Sequence, residues 1–344
     1  MARHAWCQAS LPGPPASRPC AGWEEATVPE SAECKVQDGQ RDSRDSSSGV
    51  DPETSAYDID DLIAGNLMLE SLDMWRERAR RGQVEARPPY ISDIGDVRSL
   101  HFDWHSMQSE MNLLDPIELT IDYTRMMMGF LLFDPSPRRI EMIGLGGGSL
   151  AKLCHHLLPG TDITVVEINP RIIALRDEFQ IPRDDDRFRI LAGDGAEFVT
   201  QGGSRPDVLL IDGFDEFGQP PQLCSAEFYD QCYRRLAPGG IMIVNLWGGG
   251  HLNRGYATMI AQSFNGSARS VPTEAGFNQA VFGRKDARLT LSQADIAATA
   301  ALFPQHQAAF LPQIGRRISR QLDHRVWGRA IRLIEDRLER DEIE

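Results

Sequence analysis

IEMIGLGGGSLAKLCHHLLPGTDITVVEIN, the stretch from Ile140 to Asn169, decides the fold of this chain. An apolar run opens it and passes into a glycine loop, and a helical pattern and a second apolar run ending on Glu167 follow. Strand, glycine turn, helix, strand and terminal acid are typical of a nucleotide-binding unit. Glycine lets the backbone approach a ligand closely because it has no Cβ atom. The loop glycines that we predict to do so are Gly144, Gly146, Gly147 and Gly148. The alternative is that they only close a tight strand-to-helix turn.

Size and composition narrow the class of protein. The chain has 344 residues, of which 41% are hydrophobic and 25% charged, as in ordinary soluble proteins. Its formal net charge of -14 disfavours nucleic acid as a partner, since phosphate binding needs clustered Lys and Arg. No apolar run approaches the roughly 20 residues that span a bilayer, and no signal-peptide core is present. The six cysteines form no C-x-x-C pair, so we expect buried free thiols, no metal site and a cytoplasmic protein without membrane partners.

The first third of the chain divides into three segments. Residues 1–55 are rich in Pro, Ser, Gly, Asp and Glu, which predicts a disordered tail. Helical spacing of apolar positions predicts a helical lead-in over 56–85. For 86–135 we predict a small N-terminal β unit, because residues 90–123 alternate between apolar and polar types as antiparallel strands do. A buried helix over 124–133 is predicted to end this unit.

A Rossmann-like domain is predicted over 136–284, where apolar runs alternate with helical patterns. Such alternation indicates an α/β fold with a parallel sheet covered on both faces. Residues 268–283 predict two more strands, paired antiparallel at the sheet edge, and residues 285–344 predict a C-terminal helical segment with Ser292 as a possible N-cap. The parallel strand candidates are 140–144, 162–167, 188–193, 207–212 and 241–246.

The carboxyl ends of parallel strands are where such sheets bind ligands. Glu167 ends the second strand, about 20 residues beyond the glycine turn, where a carboxylate can accept both hydroxyls of a ribose. Asp194 and Gly195 follow the third strand. There Asp194 could accept from an adenine amino group while Gly195 leaves room for the ring. Alternatively, Asp194 only caps the helix that begins beside it.

Two acids follow the fourth strand, Asp212 and Asp215. Carboxylates at the mouth of a nucleoside site can hold an amine, and one of them can deprotonate it and so make it a nucleophile. Burial and the neighbouring acid should raise the pKa of one carboxyl toward neutrality, which suits a base. In the alternative, Asp212 ends the strand and Asp215 belongs to a solvated turn.

Three further motifs are HSMQSEM (residues 105–111), DYTRM (122–126) and the Pro-Gly-Gly turn in RLAPGGIMIVNL (235–246). Together with the glycine loop and the acids at the strand ends, they resemble the spermidine/spermine synthase family of polyamine aminopropyltransferases. The resemblance runs from about residue 96 to 283. It implies a small β unit before a Rossmann-like class I methyltransferase sheet, and a homodimer. It also implies transfer of an aminopropyl group from decarboxylated S-adenosylmethionine, a co-substrate and not a permanently bound cofactor, to a putrescine-like amine, with release of methylthioadenosine.

The resemblance also implies roles for individual residues. Four would meet the nucleoside: Gln108 at the ribose region, Glu167 at the ribose hydroxyls, and Asp194 and Gly195 at the adenine. Three would serve the amine: Asp212 as general base, Asp215 as a polyamine contact and Tyr123 as part of the channel wall.

The sequence departs from the family pattern at two places. Gly147 stands where the family loop usually has an Asp that binds the amine of the donor, and Thr124 and Arg125 follow Tyr123 where the family usually has His and Glu. Arg125 would repel a diamine unless it points away or pairs with an acid. A neutral loop no longer selects against the carboxylate of intact S-adenosylmethionine, so a methyltransferase is the second hypothesis. A non-catalytic relative that binds a nucleoside or a polyamine is the third.

Overall fold

A seven-stranded sheet forms the centre of the computed structural model, which describes residues 88–102, 107–215, 218–247 and 251–321. The sheet has the order β6-β5-β4-β7-β8-β10-β9. The first five strands in this order are parallel, and β10 runs antiparallel to β8 and β9, as predicted from the sequence. The strands are β4 (Arg139–Ile143), β5 (Asp162–Glu167), β6 (Phe188–Ala192), β7 (Val208–Ile211), β8 (Ile241–Trp247), β9 (Ala268–Pro272) and β10 (Asn278–Arg284).

Three antiparallel strands precede this sheet and confirm the predicted β pattern. They are β1 (Tyr90–Ile94), β2 (Val97–His101) and β3 (Met107–Asn112), paired in that order. The strands end earlier than the alternating pattern suggested, because residues 113–121 form turns. The side-chain oxygen of Asn112 accepts from the backbone amide of Leu114, and this hydrogen bond begins the first of these turns.

The predicted buried helix over 124–133 is two helical segments. Helix α1 (Asp122–Met127) passes directly into a 3₁₀-helix at Met128–Leu132, in which every residue is buried. Short 3₁₀ segments are common where α-helices end, since the tighter turn satisfies carbonyls that the α-helix leaves unpaired. Gly129 lies here at close range to Ile314 and Phe282, so this segment joins the sheet to the C-terminal helices.

Side chains on alternate positions of each central strand enter two different hydrophobic clusters. Along β7, Val208 and Leu210 belong to one cluster and Leu209 and Ile211 to the other. Because successive side chains of a strand point to opposite faces, both faces of the sheet are covered. Within the described part of the chain, three cysteines are buried thiols that form no disulfide, as the sequence predicted: Cys154, Cys224 and Cys232.

Helices supply both covering layers. In the Rossmann-like region they are α2 (Ser149–Leu157), α3 (Pro170–Ala174), α4 (Gly195–Thr200), α5 (Ala226–Arg235) and α6 (His251–Ser263). The described part of the predicted C-terminal segment contains α7 (Gln293–Ala300), α8 (Gln305–Ala308) and α9 (Leu311–Arg320), and Ser292 caps α7 in a capping box with Asp295. None of the described helices has the length and apolar character needed to cross a membrane. The predicted tail 1–55, the lead-in 56–85 and residues 322–344 lie outside the described residues.

A buried ion pair ties β4 to the helices on one face of the sheet. Glu141 is 1% exposed and Arg235 8%, and Arg235 Nε donates to a Glu141 carboxylate oxygen at 2.5 Å. A further guanidinium nitrogen donates to the backbone carbonyls of Phe198 and Gln201, next to the end of α4. A buried pair with satisfied hydrogen bonds holds its partners in one arrangement, but removing one partner leaves an uncompensated charge.

We therefore expect Arg235→Met to lower the free energy of unfolding by about 3–5 kcal/mol, because the Glu141 carboxylate would stay buried without its counter-ion. Urea denaturation followed by circular dichroism measures this change. Arg234→Met is the matched control, since Arg234 is the preceding residue of the same helix and is exposed. Equal effects of the two substitutions would contradict the role given to the pair.

Candidate active site

A cavity of about 460 Å³ opens at the carboxyl ends of the parallel strands. Nine residues predicted from the sequence line it together: Gln108, Tyr123, Gly144, Gly146, Glu167, Asp194, Gly195, Asp212 and Asp215. The two remaining predicted residues, Gly147 and Gly148, are not part of the lining. The carboxylates predicted at the carboxyl ends of the parallel strands therefore line one cavity and not separate ones.

Glu167 lies at the end of β5 with its carboxylate held by the backbone. One oxygen accepts from Leu145 N at 2.9 Å and the other from Asn169 N at 2.8 Å. The side chain is 8% exposed, and this burial raises the pKa of the carboxyl, although backbone hydrogen bonds oppose the rise. These backbone donors fix the orientation of the carboxylate, and any lone pairs that they leave open can accept from a ligand.

Asp194 both caps a helix and lines the cavity. Its Oδ1 accepts from Ala196 N at 2.7 Å and caps α4, and the same residue lines the cavity. A carboxylate has a second oxygen, which is available for a ligand while the first caps the helix. Gly195 packs tightly on Ile143, where a Cβ atom would overlap the isoleucine side chain, so its small size serves packing at the cavity floor.

Gly144 allows the ends of β4 and β7 to approach each other. Its φ is +94°, and a Cβ atom there would overlap the backbone carbonyl of Asp212. The backbone amide of Asp212 donates to Ile143 O at 2.8 Å, directly before this glycine. Only glycine accommodates both the backbone angle and the contact, so this position sets the separation between the glycine loop and Asp212.

Gly147 and Gly148 are not among the residues that line the cavity, and a Cβ atom added to either would meet protein side chains. A Cβ atom on Gly147 would lie 2.6 Å from Ser109 Oγ and 2.9 Å from Phe179 Cδ1. One on Gly148 would lie 2.5 Å from Ile181 Cγ1. The direction in which a loop residue points depends on tertiary packing, which the glycine pattern does not contain. An aspartate at 147 would have to displace Ser109 or Phe179.

Asp212 is held by hydrogen bonds from two elements. Tyr123 of α1 donates its hydroxyl to Asp212 Oδ2 at 3.2 Å, and Asn245 of β8 donates its side-chain amide to Oδ1 at 2.9 Å. Burial raises the pKa of the Asp212 carboxyl to about 6, and both hydrogen bonds oppose this rise. The pKa of Tyr123 lies well above its usual value, because of burial first and the Asp212 charge second. At neutral pH the carboxylate is therefore ionised, with a pKa suited to a general base.

The mouth of the cavity combines acid and aromatic groups. Asp215 lines it from a loop closed by backbone hydrogen bonds between Asp215 and Gly218. Aromatic side chains that line the same cavity include Phe214, Trp247 and Phe277, the last of which is 71% exposed. Aromatic faces attract ammonium groups, so the mouth suits a cationic ligand.

Arg125, the residue that could have repelled an amine, points away from the cavity. Its guanidinium donates to the backbone carbonyls of Leu119 at 2.6 Å and Thr120 at 3.1 Å. Thr124 stays at the cavity lining and donates its hydroxyl to Ile121 O. The described lining residues include four carboxylates and no Lys or Arg, so the site is electrostatically selective for cations.

Two functional candidates escaped the sequence reasoning. Asn245 stands inside the apolar strand IMIVNLW, and a polar residue in such a run is a signal that could have revealed it. Asn278 donates its side-chain amide to Asn245 Oδ1 at 2.9 Å. It lies at the start of a predicted edge strand, where an Asn is unremarkable, so the sequence offered no comparable signal.

The fold and the cavity define a class: proteins with a class I methyltransferase-like sheet and a ligand cavity at the strand ends. The spermine/spermidine synthase domain model matches residues 120–275. The chain is 38% identical over 206 residues to the polyamine aminopropyltransferase of Chromobacterium violaceum, covering 59% of this chain and 79% of that protein. It is 39% identical over 193 residues to that of Neisseria meningitidis, covering 56% and 73%.

The chain belongs to the polyamine aminopropyltransferase family. A solved structure, that of a probable spermidine synthase from Corynebacterium glutamicum, shares the fold. The TM-score is 0.53 at 21% identity, over 64% of this chain and 85% of that one.

We expect Gly147→Ala to destabilise the protein by about 1–3 kcal/mol, because the added methyl group would overpack Ser109 and Phe179. The midpoint of urea denaturation measures the change. Gly160→Ala is the matched control, since a Cβ atom there meets nothing within 4 Å. If both variants unfold at the same midpoint, Gly147 is not closely packed.

Proposed function

We propose that this enzyme transfers the aminopropyl group of decarboxylated S-adenosylmethionine to a small amine of the putrescine class and releases methylthioadenosine. Membership of the polyamine aminopropyltransferases supports the reaction class. The observation that carries the assignment of residues is that Glu167 and Asp212, at the ends of the two strands that flank β4, line the same cavity.

At the donor end, the carboxylates meet hydrogen-bond donors of the nucleoside. Glu167, oriented by two backbone amides, accepts the ribose hydroxyls, and Gln108 contacts the ribose region from β3. The second oxygen of Asp194 accepts from the adenine amino group, beside the small Gly195. The sulfonium carries a positive charge, which the acidic lining favours.

At the acceptor end, Asp212 takes a proton from the ammonium form of the amine. The neutral nitrogen then attacks the methylene carbon next to the sulfonium sulfur, the C–N bond forms, and the C–S bond breaks with its electron pair passing to sulfur. Asp215 and the aromatic mouth hold the distal part of the amine, and Tyr123 lines its path. Holding both reactants in line can contribute about 7–11 kcal/mol to lowering the barrier.

The two alternatives raised by the sequence are not favoured. A methyltransferase using the intact donor was suggested by the neutral Gly147, but that residue lies outside the cavity lining and so does not report on the donor. A non-catalytic relative was suggested by the altered loops, but Asp212 is present and Arg125 is turned away. A homodimer, a cytoplasmic location and the lack of nucleic-acid partners stay predictions, of which sedimentation tests the first.

The reaction is tested by incubating the enzyme with either donor and a panel of diamines, and by measuring methylthioadenosine and S-adenosylhomocysteine by chromatography. We expect methylthioadenosine from the decarboxylated donor. Asp212→Asn should lower kcat about 10²–10⁴-fold, since the general base is lost. Glu197→Gln, an exposed acid on α4, is the control. S-adenosylhomocysteine as the main product, or full activity of Asp212→Asn, would contradict the proposal.

The pH dependence follows from the pKa of Asp212. The carboxylate must be ionised to accept a proton, so kcat/KM should be retained above pH 6 and lost as the pH falls through about 6. Tyr123→Phe removes one hydrogen bond to the carboxylate and should move this acidic limb upward. A limb that stays in place in Tyr123→Phe would show that another group controls it.

A further inference from the structure

The side chain of Asn278 is connected to Asp212 through a second amide. Asn278 Nδ2 donates to Asn245 Oδ1 at 2.9 Å, and Asn245 Nδ2 donates to Asp212 Oδ1 at 2.9 Å. The middle residue is only 2% exposed. We call Asn278, Asn245 and Asp212 the amide series. A buried amide depends on protein groups for its hydrogen bonds, so a change in the hydrogen bond at one end of the series affects the bond at the other end.

Sheet register builds this series from three strands. The parallel pairing of β7 and β8 ends with Ile211 opposite Val244, and the next residues along the two chains, Asp212 and Asn245, are joined by their side chains. In the antiparallel pairing of β8 and β10, Asn245 stands opposite Ala280. The small alanine leaves room for Asn278, two residues earlier on the same face, to reach Asn245 diagonally.

The two ends of an amide determine how Asn245 must point. An ionised carboxylate only accepts hydrogen bonds, so Asn245 must present its NH₂ group to Asp212 and its oxygen to the opposite side. Asn278 places an NH₂ group against that oxygen. Reversing Asn245 would then set two NH₂ groups against each other and leave a buried donor unsatisfied, which is costly.

We propose that Asn278 is a positioning residue, which acts through Asn245 to keep a hydrogen-bond donor on the Asp212 carboxylate and so keeps it ionised. This inference rests on the proposed function only in giving the ionised carboxylate its use as a base. The direction agrees with electrostatics, since the hydrogen bond from Asn245 lowers the pKa of Asp212 against the effect of burial.

Other titratable groups near Asp212 stay the same when Asn278 is replaced. Tyr123 faces it from α1, with Asp122 beside that tyrosine, and Asp215 follows it on the same loop. Two further carboxylates share the cavity from other strand ends: Glu167 and Asp194. A change in the titration of Asp212 on replacing Asn278 therefore reports on the amide series.

The test is the titration of the Asp212 carboxyl in the resting full-length enzyme, followed by carbon-13 NMR with labelled aspartate and assigned by the signal lost in Asp212→Asn. We expect Asn278→Leu, which keeps the size and removes the donor, to raise the midpoint by up to about one pH unit. The acidic limb of kcat/KM should move by the same amount. An unchanged midpoint in folded Asn278→Leu overturns the proposal.

Two further variants separate the effect of the amide series on the Asp212 titration from general effects on structure. Gln279→Leu alters the next residue of β10, whose amide pairs with Ser270 of β9, and should leave the Asp212 midpoint unchanged. In an Asn245→Leu background, adding Asn278→Leu should cause no further rise, because the series is already broken. A further rise there, or a shift in Gln279→Leu equal to that in Asn278→Leu, would overturn the proposal.

Separate controls address a loss of folding and a loss of turnover. If Asn278→Leu lacks a native melting transition, Asn278→Ala removes the donor without adding bulk or charge, so it should also raise the midpoint. No rise in that variant counts against the role of the amide series. The NMR titration needs no substrate, so an enzyme that forms no methylthioadenosine would refute the proposed function and still leave the amide series open to this measurement.

Discussion

The close approach of β4 and β7 is the constraint on which the site depends. Gly144 has a positive φ and no room for a Cβ atom against the carbonyl of Asp212, and the amide of Asp212 donates to β4 just before that glycine. One contact therefore fixes both the start of the glycine loop and the position of the acid. Because β5 pairs with β4 on the other side, Glu167 is positioned by the same strand.

The support of the carboxylates differs between the two ends of the cavity. Glu167 and Asp194 are oriented by backbone amides, which belong to the turns that form them. Asp212 is oriented by the side chains of Tyr123 and Asn245, which come from separate elements. Backbone donors cannot be changed by substitution of a side chain, whereas side-chain donors can. The environment of the Asp212 carboxylate is therefore open to adjustment by substitution, while that of Glu167 and Asp194 is set by the fold.

Local patterns in the sequence predicted the parts of the structure that obey simple periodicities. The strand candidates correspond to β4 to β8, and the strand-end rule brought Glu167, Asp194 and Asp212 to one edge. The rule needs only the order of strands and helices. The turn of the chain after Asn112 and the break in the helix near Met128 depend on specific hydrogen bonds, and these were not predicted.

Tertiary contacts and specific hydrogen bonds account for the remaining differences. Gly147 turns toward Ser109, 38 positions earlier in the chain, and no pattern within the loop contains that neighbour. Arg125 is drawn to two carbonyls of the preceding turn and so leaves the cavity. Asn278 reaches Asn245 only because β10 pairs with β8 in one register. Each case depends on how particular side chains pack or bond in the folded chain, and local sequence patterns do not contain that information.

The surplus of carboxylates over cationic side chains in the cavity has a consequence for the order in which products leave. Aminopropyl transfer turns a sulfonium into an uncharged thioether and adds one basic nitrogen to the amine. The attraction between the acidic wall and the nucleoside therefore falls at the moment of reaction, while that for the lengthened amine grows. Electrostatics alone would let the spent nucleoside dissociate readily and would make release of the polyamine the slower event.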